Sequence, residues 1–416
     1  MSRIKRIRGA VQDYAWGKMS SENPLVKRIY DSQCAASSLP PSDLEKYAEI
    51  WLGTHPNAPS ILIDSDSPTE GSTSNSTSLN DYITSSPTST LGTHSSTSNI
   101  PYLLKILSIN KVLSIQSHPD STLAAQLHAS NPDVYKTPCH KPEMAIALTD
   151  FKAMIGFRPL SLLWSNLQSY SEVESLVGES VYNGVKDAFE RTGGMDFDNG
   201  SKGAVKELFT AFMRKYDEGG GGVKTLEEIK SPTDEIILKF NEMFPGDCGV
   251  LSPIFLNVID CTPGQSIFVS SNTPHAYISG EIVECMARSD NVIRCGLTPK
   301  FKDVEVLCGS LSYDCFEPVV SGGVESGTKG ERVYRPPVED FEVRVADFKE
   351  DTVVEEVDAG VILLCLEGGG VVKSGEEKVD IKFGEALFIN AGTKLEVEVG
   401  EQGCKFVRAL RNVGSD

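Results

Sequence analysis

Two histidines, a glutamate and a glutamine in this sequence have the types and spacings that a divalent cation would use. Gln116-Ser117-His118 closes an apolar run that reads as a β-strand. Alternate residues of a strand share a face, so Gln116 and His118 can project together while Ser117 points the other way. His140-Lys141-Pro142-Glu143 leads directly into a second apolar run that begins at Met144. Three ionisable groups at the start of a buried strand are costly unless they face a functional cavity; the alternative is an exposed turn. Thr273-Pro274-His275 follows a third buried run, Ser266–Val269. Two imidazoles, one carboxylate and one neutral amide oxygen suit a borderline-hard ion such as Zn2+, with positions left over for water or substrate oxygens. Each cluster taken alone also fits a hydrogen-bonded structural role. In a fourth cluster, Glu284 to Arg294, acids, an amide and arginines alternate with apolar residues, and salt bridges at a β-turn are the competing explanation.

The elements that must position these residues follow from the periodicity. Tyr102–Ser108 and Val112–His118 read as two strands joined near Asn110. From about 159 to 245 the period becomes helical. Val205, Leu208, Phe209, Phe212 and Tyr216 fall on one face, and Ser231-Pro232-Thr233-Asp234 opens a further helix that buries Ile237, Phe240 and Phe244. After Pro245 short apolar strands and Gly, Pro and Asn turns continue to the end, the pattern of a β-sandwich or barrel. The stretch 263–275 resembles 383–394, each a turn glycine, a buried strand and a turn ending in a threonine. Two related barrels are therefore expected. The second carries Lys394 where the first carries His275, so only the first can hold a metal there.

Residues 65–99 stand apart. Ser and Thr supply 20 of the 35 positions, with no Lys or Arg. Such a stretch buries too little surface to offset its ordering entropy, so a mostly disordered surface loop is expected, with a short ordered island at Leu79–Ile83.

The whole chain has 416 residues, 40% of them hydrophobic and 23% charged, enough for two or three cores. A net charge of -19 argues against nucleic acid or an anionic membrane as partner, and an anionic small substrate would need a local basic site. No apolar run is long enough to cross a membrane. Ten cysteines without a CxxC pair, and no secretory signal at the start, lead us to expect reduced thiols in a cytoplasmic protein.

Five motifs, in order, resemble type I phosphomannose isomerases nearly end to end. They are Val11–Lys18, Ala48–Asn57, Leu113–Asp120, His140–Glu143 and the long, specific run Val283–Lys300. The resemblance implies a mainly β fold of two cupin-type jelly-roll barrels with an α-helical insertion. It divides the chain into 1–158 and 246–320 for the catalytic barrel, 159–245 for the insertion and 321–416 for a second, metal-free barrel. It implies one Zn2+ per chain, held by Gln116, His118, Glu143 and His275. Arg294 and Asp290 would line the active site, with His140, Lys141 and Glu284 taking part in proton movement. Ser114, Lys105 and Lys300 match positions that place the substrate phosphate, and Trp16 and Glu49 fall in motifs that contact substrate. The implied reaction interconverts mannose 6-phosphate and fructose 6-phosphate in a monomer, feeding GDP-mannose synthesis. Either Glu284 or Lys141 would be the base. The competing readings are a cupin oxygenase that uses Fe2+ and a sugar-binding cupin without turnover.

Overall fold

Every residue of the strand Tyr102–Ile109 is buried, the pattern of a strand covered on both faces. The computed structural model, which describes residues 2–63, 77–93, 98–195, 199–217 and 232–414, shows what covers it. Tyr102, Leu104 and Ile106 enter a large core shared with Tyr334, Phe341, Ile362, Phe388 and Val407 from the C-terminal part of the chain. Leu107 and Ile109 enter a smaller core with Ala145, Ala153, Tyr277 and Ile282. Lys105 is the one charged residue of the strand, and it stands on the same side as Leu107. A lysine amid eight buried positions must find its partners inside the protein.

The described strands form two large antiparallel sheets of ten strands each, plus one two-stranded pair. The spine of the first is the long strand His275–Ala287. Its first half pairs with Phe151–Phe157, with His275 opposite Ile155. Its second half pairs with Tyr102–Ile109, placing Glu284 opposite Lys105, and with Glu143–Ala147, placing Met286 opposite Glu143. The exchange of partners happens at Gly280. Its φ is +122°, and a Cβ there would lie 2.7 Å from the Asp150 carbonyl oxygen, so the corner requires glycine.

The second sheet contains the C-terminal strands, but it also recruits the beginning of the chain. Ile4–Arg8 lies between Ala386–Ile389 and Ile61–Leu62. Alternation explains how it serves both faces: Ile7 enters the shared core, and Ile4 enters the core of the second sheet beside Phe348 and Phe406. The pairing thus departs at these two strands from the expected block 1–158. Charged residues also enter this core. Arg344 and Arg408 are buried in register with each other and are neutralised by Glu331 and Glu342.

Helices between Leu160 and Met243 cover the opposite face of Phe151–Phe157, where Met154 and Phe157 meet Leu163, Phe209, Phe212 and Phe255. The stripe expected in the first of the two sequence-read helices is buried at Val205, Leu208, Phe209 and Phe212 within Asn199–Asp217. The Tyr216 side chain and the cap at Ser231 lie outside the described residues. Ile237 and Phe240 of Pro232–Met243 are buried as expected, whereas Phe244 lies just past the end of that helix and is half-buried.

Order in the Ser/Thr-rich segment extends beyond the Leu79–Ile83 island. Leu79–Ser85 and Pro87–Leu91 are short helices, the first capped by the Ser78 hydroxyl, which accepts from the Asp81 N–H. Leu79, Ile83 and Leu91 enter the shared core. A core built by other segments gives these few apolar side chains the burial that the segment could not supply itself. Residues 65–76 and 94–97 of the expected loop lie outside the described residues. No described helix is long and apolar enough to cross a membrane.

The Gly280 corner gives a direct test. Gly280→Val forces a Cβ against the Asp150 backbone at a left-handed φ and should cost at least about 1–3 kcal/mol of stability, read as a lower urea midpoint at unchanged slope.

Candidate metal centre and active site

The strand Ile115–Ser117 runs beside both His275–Ala287 and Ile293–Gly296. Gln116 stands opposite His275 on one side and Arg294 on the other, so these three side chains share one face. His118 follows two residues after Gln116. Glu143 begins its own strand, opposite Val269 and Met286.

The two imidazoles have fixed tautomers. His118 Nδ1 donates to the Asn291 carbonyl at 2.7 Å, and His275 Nδ1 donates to the Thr273 carbonyl at 3.0 Å. In the neutral ring this leaves the lone pair on Nε2. Both point at one carboxylate: His118 Nε2 lies 3.2 Å from Glu143 Oε1, and His275 Nε2 lies 3.3 Å from Glu143 Oε2. Burial pushes the His118 pKa down to about 4, assisted by Lys141 and opposed by Glu143, so the ring is neutral at ordinary pH. Burial also pushes the Glu143 carboxyl up, but Lys141 and His118 outweigh it and hold that carboxyl well below the usual range. Both Nε2 atoms and Glu143 Oε2 are buried without a hydrogen-bond partner among the described residues. Three electron-pair donors thus converge within 4.8 Å of one another, and a divalent cation is the group that satisfies all three. The donor set fits zinc, and both histidines have the backbone-carbonyl support typical of metal-binding imidazoles.

Charges around this cluster are arranged in buried pairs. Lys141 Nζ lies 2.8 Å from Glu143 Oε1. Lys105 Nζ is 2.9 Å from Glu284 and 3.4 Å from Glu49, and it sits 5.1 Å from the centre of the Trp51 ring. The Trp51 indole N–H donates to Glu49 at 2.5 Å. Burial presses Lys105 toward the neutral amine, but Glu284 and Glu49 overcome this and raise its pKa. Burial raises the Glu284 carboxyl; Lys105 opposes the shift, and Glu143 and Glu49 add to it. Asp290 takes the Nε2–H of His55 at 3.2 Å, and that bond holds its carboxyl below the usual value. Arg294 is half-buried and is paired with no carboxylate among the described residues, and desolvation lowers its pKa.

The structure does not bring every expected residue to this cluster. His140 turns toward the C-terminal part, where its Nε2 is 3.0 Å from Asp340, and this bond raises its pKa. Lys300 is exposed and, among the described residues, free of ion pairs. Ser114 is half-buried beside Ile115–Ser117, and Trp16 packs on the small core that holds Tyr277. Lys394, in the turn before Leu395–Leu410 of the second sheet, is exposed, and no histidine occurs anywhere in 321–416.

Two further residues were not given roles from the sequence. Tyr277 is fully buried; burial and the nearby Glu143 and Glu284 charges push its hydroxyl pKa well up. Its position two residues after His275 in a strand was the available signal. His55 is buried and accepts the Asn57 N–H on Nδ1, which directs Nε2–H at Asp290. The signal for His55 was an imidazole in a motif otherwise rich in small and apolar residues.

Comparisons with known proteins agree with this geometry. The family model for the catalytic domain of type I phosphomannose isomerase matches residues 4–160. Mannose-6-phosphate isomerase 1 of Arabidopsis thaliana is 36% identical over 95% of this chain and 91% of its own. The chain belongs to the type I phosphomannose isomerase family. Mannose-6-phosphate isomerase of Saccharomyces cerevisiae is 34% identical over 98% of this isomerase and 99% of its own length. The crystal structure of mannose 6-phosphate isomerase from Salmonella typhimurium, bound to fructose 6-phosphate and zinc, superposes with a TM-score of 0.77 at 26% identity. It covers 99% of this chain and 100% of that one.

Zinc at about 100 times its Kd should raise the unfolding free energy of the isomerase by ~2.7 kcal/mol. The same addition should leave His118→Ala and Glu143→Gln unchanged, and elemental analysis should find both depleted of zinc.

Proposed function

We propose that this isomerase interconverts D-mannose 6-phosphate and D-fructose 6-phosphate with one Zn2+ per chain. Gln116, His118, Glu143 and His275 are the proposed ligands. The observation that carries the proposal is the convergence of two imidazole Nε2 atoms on one buried carboxylate, in a chain whose relatives bear that enzymatic name. The register of Gln116 opposite His275 supports adding the amide oxygen to the set. When bound, Zn2+ supplies Lewis acidity toward the oxygens of the open-chain sugar.

The chain's own residues account for the remaining steps. Once the sugar ring is open, a base removes the proton from C2 of the aldose and returns it to C1, through an enediolate. Glu284 is the proposed base, because burial and neighbouring acids raise its pKa toward the range useful for a general base, whereas Lys141 is committed to Glu143. Lys105, directly opposite on the neighbouring strand, holds Glu284 in place. Arg294, unpaired with any described carboxylate, provides fixed positive charge where the oxyanion develops. Asp290, aimed by His55, handles the proton of ring opening. Lys300 and Ser114 are the proposed phosphate contacts, Lys300 being exposed and free of ion pairs among the described residues.

In architecture, each ten-stranded sheet is proposed to be a cupin jelly roll. The first (within 1–158 and 246–320) is catalytic, 159–245 forms a helical insertion on it, and the second (mostly 321–416) lacks metal.

A coupled assay for fructose 6-phosphate formation tests the reaction. Arg294→Ala should lower kcat by about 10²–10³ with zinc content unchanged. Glu284→Gln should lower kcat by roughly 10²–10⁴ and abolish exchange of the C2 proton with solvent. Retained exchange in Glu284→Gln would transfer the role of base to Lys141.

A further inference from the structure

We infer that Asn291 is a positioning residue that fixes Lys141 relative to the metal ligand His118. The inference rests on the proposed function, because it takes both His118 and Lys141 as parts of the reaction site.

Asn291 belongs to the short loop 288–292 between the strands His275–Ala287 and Ile293–Gly296, and it is buried. Its backbone carbonyl accepts the Nδ1–H of His118 at 2.7 Å. Its side-chain amide nitrogen reaches the other way and donates to the carbonyls of Thr137 at 2.6 Å and Cys139 at 2.9 Å. Residues 137–139 have no regular structure and run straight into His140-Lys141. A segment without ladder hydrogen bonds takes its position from such side-chain contacts. One residue therefore holds a metal-binding imidazole through its main chain and the approach to Lys141 through its side chain.

The rest of the loop reinforces the same connections. Ser289 donates to the Cys139 carbonyl at 3.0 Å and lies 2.9 Å from the Thr137 hydroxyl. Asp290 is held by His55 and by the Asn57 amide at 3.4 Å. Asn291 keeps its two donor bonds although its own Oδ1 is buried without a hydrogen-bond partner among the described residues. The amide is thus oriented for the two carbonyls and not for its own full satisfaction. Removing it leaves two carbonyls of the 137–139 segment without that donor and frees Lys141 to shift relative to Glu143.

Asn291→Ala keeps the main-chain carbonyl that supports His118 and removes only the tether to 137–139. It should lower kcat per bound zinc by about 10–100-fold, the range seen when groups supporting a metal site are lost. The KM for mannose 6-phosphate should change less than kcat. A purely structural asparagine would lower Tm and leave kcat per zinc-loaded molecule alone. Ser289→Ala, which weakens the same Cys139 carbonyl contact, should show a smaller loss of the same kind, and the double variant should lose less than the product of the two. The inference is overturned if Asn291→Ala folds, binds zinc and turns over within twofold of the unaltered enzyme. Should Asn291→Ala not fold, Ser289→Ala decides: normal kcat per zinc overturns the inference, and a reduced value at normal Tm supports it. An unaltered enzyme without isomerase activity would instead refute the proposed function, which keeps the two failures distinct.

Discussion

A single buried carboxylate, Glu143, sets the terms for the first ten-stranded sheet. Glu143 meets an imidazole Nε2 on each side, so three buried electron-pair donors face one another. Lys141 compensates the charge of Glu143 but leaves both imidazoles and the second carboxylate oxygen unsatisfied. To hold three such groups together, the surrounding strands must over-determine their positions. They do: His275 opens the long strand, Glu143 comes from a strand paired with its second half, and the corner at Gly280 joins the two halves.

The same economy of faces governs the rest. Strands of the first sheet turn one side to a core shared with the second sheet and the other side to the site, which is why Lys105 and Glu284 occur within otherwise apolar runs. The second sheet buries charges too, but there Arg344 and Arg408 are matched by Glu331 and Glu342. Matched charge holds an interior together, whereas unmatched lone pairs recruit a ligand. That difference separates the two sheets more clearly than their strand patterns do.

The sequence made much of this legible. Periodicity located the strand that carries Gln116 and the helices that carry Val205 and Ile237, because burial on one face leaves a repeating mark; the long strand that His275 opens was not read from it. Motif order identified the family. Three things left no local mark. The reversal of His140 toward Asp340 depends on a contact between distant segments, and the hold of His55 on Asp290 depends on a turn and a loop far apart in sequence. The helices in 77–93 are fastened by a core that other residues build, which composition of the segment itself does not reveal.

The strand Ile4–Arg8 pairs with Ala386–Ile389, so a strand made early waits for one made much later. Contacts of such sequence separation carry a large loop-closure entropy and slow the folding of domains dominated by them. Until the C-terminal strands emerge, the apolar side chains Ile4 and Ile7 have no place in their native cores, and the nascent chain exposes them. Once closed, the arrangement ties two segments far apart in sequence into one sheet, and a nick beside either strand opens the same seam.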